Sequence, residues 1–160
     1  MNIPYWLAEL ERIKKQLQSM VKTSNQKTLY ETAKNTLGEK LVGDEYEDVG
    51  CALAVNEIHR RAFGKEIGGG ASTLALYQAL MMDKSFEEVS EHQAGDIILS
   101  PTTLGNGTIP NGHVGICGNH GIMSNTSANG VWTQNYSYAG WTAYYKGRGG
   151  FPILYFRKVG

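Results

Sequence analysis

Residues 47–64 read EDVGCALAVNEIHRRAFG. Ala52, Val55, Ile58 and Ala62 recur at steps of three or four, which predicts a helix with one apolar side. Gly64 is placed to end that helix as a C-terminal cap. The helix starts at Cys51, one of 2 cysteines in the chain. A helix N-terminus carries partial positive charge and unpaired N–H groups. Both favour a thiolate, and the same N–H groups can donate to an oxyanion. Cys51 is therefore a candidate nucleophile, to be weighed against the plainer role of a small buried residue.

Helical patterning extends to both sides of this stretch. Residues 4–22 predict an amphipathic helix: Pro4 suits its first turn, and Leu7, Leu10, Ile13, Leu17 and Met20 or Val21 form an apolar stripe. That stripe is expected to pack on the domain, with a membrane surface or a partner as the alternative. The polar run KTSNQKT interrupts it, and LYETAKNTLGEKL predicts a second helix ending near Gly38. VGDEYEDVG is an acidic loop, and GGGASTLALYQALMMD is a glycine turn and a further helix capped by Ser72 or Thr73. The glycines lack the Lys-Ser/Thr of a phosphate-binding loop.

After residue 85 the pattern changes. SFEEVS, GDIILSP, GHVGICG, HGIMSNTS, GVWTQNYS and FPILYFRKV are short β-type runs separated by Gly, Asn and Pro. Helices first and strands after them predict an α+β fold, with N-terminal helices packed on a mostly antiparallel sheet. The division expected is a helical extension over 1–35 and a catalytic domain over 36–160, forming one compact unit.

The 160 residues suffice for one core. The 15 basic and 15 acidic residues balance, so no basic footprint for nucleic acid is present. No apolar run is long enough for an integral membrane segment. No signal peptide precedes the first helix, so synthesis and residence in a host cytoplasm are expected. Two cysteines are too few for a disulfide scaffold.

A thiol nucleophile needs a base. Of the 4 histidines, His59 sits eight residues along the Cys51 helix, about 12 Å away. His92 and His120 lie in loops, whereas His113 opens the strand run GHVGICG and is the best-held candidate. If GIMSNTS returns antiparallel beside it, Ser124 or Asn125 comes level with His113. Asn125 is preferred because its amide carbonyl can accept from an imidazole N–H. Cys117 lies about 13 Å along the same strand face and reads as a buried small residue. His113, Cys117 and His120 match no common zinc spacing, so neither metal nor cofactor is expected.

The ordered set is GCALAVNEIHRRAFG, GDIILSPTTLGNG, GHVGICG and IMSNTSANGVWTQNYSYAGWTAYY. It resembles the NlpC/P60 and CHAP group of papain-like cysteine peptidases, in particular the peptidoglycan hydrolases of phages and prophages. The likeness spans roughly residues 36–158 and implies a papain-like NlpC/P60-type fold. It implies Cys51 as nucleophile, His113 as base and Asn125 as orienting group. It also implies hydrolysis of an amide bond in the peptide part of bacterial peptidoglycan, as a phage endolysin or virion-associated lysin does. Such an enzyme would need a holin, virion components or a secretion machine to reach the wall. Many members carry Asp-Cys-Ser where this chain has Gly50-Cys51-Ala52. Substrate contacts are therefore expected from Tyr46 and Asp48 before the cysteine and from Trp132 and Trp141 after the strands, with residues 101–112 as a cleft wall. The alternatives are a non-catalytic wall-binding or virion module of the same fold, and an acyltransferase using the same dyad.

Overall fold

A computed structural model describes residues 4–46 and 49–160. The chain opens with one helix, α1 (Tyr5–Asn35), not two. The polar run does not break it, and its threonine hydroxyls bond to carbonyls one turn earlier instead of competing for the helix N–H groups: Thr23 to Ser19, Thr28 to Ser24, Thr32 to Thr28 and Thr36 to Thr32. This run is also where α1 docks. Lys22 pairs with Glu87, Asn25 Nδ2 donates to the Gly160 carbonyl, and the buried Gln26 reaches Gln93 and Asp96. Leu29 and Ala33 enter the core. The second half of α1 thus belongs to the domain, and a boundary at residue 35 falls behind core residues. The expected packing of Leu7, Leu10, Ile13, Leu17 and Met20 does not occur, and all of them are exposed.

After a 3-10 turn (Asp44–Tyr46) come α2 (Cys51–Phe63) and α3 (Thr73–Met82). Ser72 caps α3, its Oγ accepting from the Ala75 N–H. The six β-type runs become six strands: β1 (Phe86–Val89), β2 (Ile97–Ser100), β3 (His113–Cys117), β4 (Ile122–Asn125), β5 (Trp132–Tyr136) and β6 (Leu154–Lys158). They form one sheet in the order β1-β6-β2-β3-β4-β5, every pair antiparallel. The fold is α+β, as the sequence pattern predicts. A short α4 (Tyr138–Trp141) and a π-helical turn (Thr142–Arg148) lie between β5 and β6 and were not anticipated.

The sheet carries a core on each face, since alternate strand residues point to opposite sides. On the helical side Val114, Ile116, Met123 and Trp132 pack with Val55 and Ile58 of α2 and Leu76 and Leu80 of α3. On the other side Ile98, Cys117 and Ile122 pack with Trp141, Tyr145 and Phe151. Asp96, entering β2, is fully buried and held by Arg157 of β6 through paired bonds of 2.9 and 2.7 Å. This ion pair joins α1, the turn before β2, and β6. Among the described residues no helix is long and apolar enough to cross a membrane.

Candidate active site

Cys51 is the first residue of α2 and is 8% exposed. Gly50 precedes it for a steric reason. A Cβ there would lie 2.5 Å from the Tyr46 carbonyl oxygen and against Val42. The chain therefore turns tightly into the helix and leaves no room for an acidic neighbour. Burial pushes the Cys51 thiol up to about 11, against the opposing pull of the Val114, Ala52 and Cys51 N–H groups. The helix N-terminus does aim donors at the sulfur, but desolvation outweighs them. The resting group is a thiol, not the thiolate expected from position alone.

His113 opens β3 beside Ser100 of β2, and residues 109–112 of the preceding loop lead into it. Its ring is buried among Tyr136, Trp141 and Tyr145, with centroids 5.6, 5.3 and 5.7 Å away. That burial pushes its pKa down to about 4, so the imidazole rests neutral. Nε2 lies 2.9 Å from Ser124 Oγ, and Ser124 Oγ in turn donates to Asn135 Oδ1 at 2.5 Å. Because the hydroxyl proton goes to Asn135, Ser124 accepts from His113. Nε2 is then the protonated nitrogen, and Nδ1 carries the lone pair.

Asn135 shares the Ser124 face by strand alternation from Trp132, and it sits in a β-bulge that turns the next residue, Tyr136, to the same side. Ile122 pairs with Tyr136 and Met123 with Gln134, so Asn135 is the extra residue on β5. Bulges re-aim side chains in this way beside functional sites. Asn125, the preferred orienting residue in the sequence reading, does not hold the ring. It pairs with Trp132, whose side chain lies in the helix-side core, whereas Ser124 shares the face of His113. The alternation of strand side chains decides between the two neighbours. Asn125 nevertheless lines the cleft.

Cys51, His113 and Asn135 open on one cleft of about 670 Å³, with Tyr136, Tyr144 and Tyr145 on one side. The expected wall is present: Thr102, Ile109, Pro110, Asn111 and Gly112 face the same space. The π-helical turn, a rare element concentrated at functional sites, places Tyr144 and Tyr145 there. No Asp, Glu, Lys or Arg lines the cleft among the described residues. Among those residues no hydrogen bond joins Cys51 to His113, so the pair rests as separate neutral groups.

Three expected substrate contacts fall elsewhere. Trp132 is fully buried on the helical side, where Nε1 donates to the Ala33 carbonyl. Trp141 is fully buried beneath His113, and its Nε1 donates to Ser100 Oγ. Each indole is enclosed in the core with its N–H bonded there, and neither lines the cleft. Tyr46 sits in the 3-10 turn and does not line the cleft. Asp48 lies outside the described residues. Cys117 is buried away from Cys51, in the other core. His59 is buried with Nδ1 2.6 Å from the Lys65 carbonyl, and His92 stacks on Tyr138. Among the described residues no three His, Cys, Asp or Glu side chains gather as a metal site.

No family profile matches the sequence, and no curated protein matches it either. Comparison with solved structures finds a chain of the type VI native effector–immunity complex Tae3–Tai3 from Ralstonia pickettii. The TM-score is 0.51 at 20% identity, over 81% of this chain and 95% of that one. The likeness is one of fold, and that fold is papain-like.

Proposed function

We propose that this chain hydrolyses an amide bond in the peptide part of bacterial peptidoglycan through Cys51 and His113. The observation that carries the reading is the relay Asn135–Ser124–His113. It fixes the imidazole with Nε2 protonated and leaves Nδ1 as the base, in the cleft where Cys51 opens a helix. The order of cysteine helix and histidine strand, the fold likeness to a chain of a type VI effector–immunity complex, and the resemblance to NlpC/P60 and CHAP enzymes support it.

The chemistry starts from neutral groups. As substrate fills the cleft, His113 Nδ1 takes the Cys51 proton and the sulfur attacks the amide carbonyl carbon. The oxyanion is received by N–H groups at the start of α2. The intermediate collapses as His113 gives its proton to the departing amine, leaving a thioester on Cys51. Water then attacks that carbonyl, its proton passes to His113, and the acid leaves as the thiol is restored. Hydroxyls, amides and tyrosine rings line the cleft, a surface fitted to neutral amide and sugar groups.

The setting we favour is delivery into a rival cell by a secretion machine, because the structural neighbour comes from a type VI effector–immunity complex. A phage lysin released by a holin or carried on a virion is the second setting, and it rests on the sequence resemblance. Digestion of purified sacculi, with mass spectrometry of the products, tests the reading. New amine and carboxyl ends with the native chain, and none with Cys51→Ala, are expected. Wall binding without new ends would establish a non-catalytic module, and transfer to an added amine would establish an acyltransferase.

A further inference from the structure

The exposed face of α1 has a regular pattern that the catalytic reading does not use. Trp6, Leu10, Ile13, Leu17 and Met20 are 63%, 54%, 40%, 56% and 62% exposed. Their spacing alternates four, three, four and three, the heptad seam of a helix that pairs with another helix. Leu10 and Leu17 take the a positions, and Trp6, Ile13 and Met20 take d. Leu7 and Val21, at e, widen the seam. The repeat stops where docking on the domain begins, at Lys22 and Asn25. At roughly 100° per residue, the seam points away from Gln26, Leu29 and Ala33, which are buried against the domain, and its Leu10, Ile13, Leu17 and Val21 line an open groove bordered by Val159. The seam can therefore be covered without moving the core.

We propose that this face docks, in parallel, against the same face of other copies of this chain. Charge complementarity selects that occupant. Glu9 takes the g position, where Arg12 of its own helix also holds it, and Lys14 the following e position, so parallel copies set Glu9 against Lys14 of the neighbouring copy. An antiparallel pair centred on Ile13 would bring the two Lys14 side chains together. A membrane surface is the poorer occupant, because Glu9, Glu11, Arg12, Lys14 and Lys15 mix both signs on the arm. Residues 5–21 span about 25 Å, and Val159 of each domain borders the seam at its C-terminal end. Leucine at a with isoleucine at d favours more than two strands.

Sedimentation velocity on the full chain, from low to high micromolar, tests this. The mass should be two to four times 17.6 kDa. Leu10→Glu with Leu17→Glu should reduce it at least twofold, to one chain, with an unchanged circular dichroism spectrum. Glu9→Lys alone and Lys14→Glu alone should each weaken association, and the two together should restore it. A monomer at every concentration overturns the proposal, as does a mass insensitive to the Leu10 and Leu17 changes. Failure of the charge swap to restore association overturns the parallel pairing. Flotation of a monomer with anionic phosphatidylglycerol vesicles would assign the face to a membrane and also overturns it.

Discussion

His113 Nε2 stands 2.9 Å from Ser124 Oγ, and the Ser124 hydroxyl is committed to Asn135. The ring's tautomer is thus set two residues away from the ring itself, by a side chain at the β-bulge of β5.

Ser124→Ala should keep the fold and reduce kcat by about 100- to 1,000-fold, within the range that a positioned base supplies. Asn135→Ala should fall in the same direction but less far, because Ser124 Oγ can still accept from Nε2. Asn125→Ala should affect KM more than kcat, since Asn125 lines the cleft without holding the ring. Steady-state kinetics on a soluble muropeptide would measure all three. Equal losses of kcat at Asn125 and Ser124 would refute the assignment.

The resting pair should behave as a thiol and a neutral imidazole. With Cys51 at about 11 and His113 at about 4, kcat/KM should rise with pH through about 4 and stay level to about 10. Alkylation of Cys51 by iodoacetamide should be slow at pH 7 and gain about tenfold per pH unit up to its pKa. Fast alkylation at pH 6 would reveal a preformed thiolate and contradict the burial argument.

The same shifts make stability fall at both ends of the pH range. His113 drops from 6.5 to about 4 on folding, so between those values the unfolded chain binds the extra proton. Stability therefore falls as pH falls through this window, by about 3 kcal/mol. Cys51 rises from 9.0 to about 11, so the folded state holds the proton and stability falls by about 3 kcal/mol as pH rises through that window. Urea titrations at pH 4.5, 7 and 10 would read both slopes, and His113→Gln should flatten the acid one.

What was legible in the chain follows from how local each signal is. The six strands were visible because each run is β-rich and bounded by Gly, Asn or Pro, and the start of α2 was visible because Gly50 and Cys51 precede an apolar period. The unity of α1 was hidden, because a run of Ser, Thr and Asn reads as a linker unless its hydroxyls bond back along the helix. Asn135 is not legible as part of the site, because its role depends on the pairing register of β5 with β4, and the bulge there sends both Asn135 and Tyr136 to the His113 side. Trp132 and Trp141 read as cleft aromatics since composition cannot separate a stacking ring from a core ring, and only the register buries them.

Asp96 and Arg157 should matter to folding rather than to chemistry. Asp96→Ala would leave the Arg157 guanidinium, itself mostly buried, without its partner and should cost about 3–5 kcal/mol. Asp96→Ala combined with Arg157→Met should cost less than the sum of the single changes. Thermal melts of the four proteins in that cycle would measure the coupling, and additive losses would show that the two side chains act independently.

Gly112 should prove as sensitive as the proposed catalytic residues although it carries no reactive group. It directly precedes His113, and its N–H donates to Thr102 Oγ1 at 3.0 Å, which Thr73 Oγ1 also holds at 2.9 Å. A Cβ at this position would collide with the Ser100 carbonyl oxygen and press on the Thr102 N–H. Ser100 is the register partner of His113, so relief of the clash must move the entry to β3 away from β2 and carry the imidazole with it. Gly112→Ala should therefore lower stability by about 1–3 kcal/mol, as overpacking does. It should also lower kcat/KM by about 100-fold at temperatures where the variant remains folded, because displacement of a base by about 1 Å is enough for that loss. Thr102→Val, which removes the anchor without adding a clash, should show a smaller loss of activity. Parallel melts and sacculus-digestion rates for the two variants would separate displacement of His113 from general destabilisation.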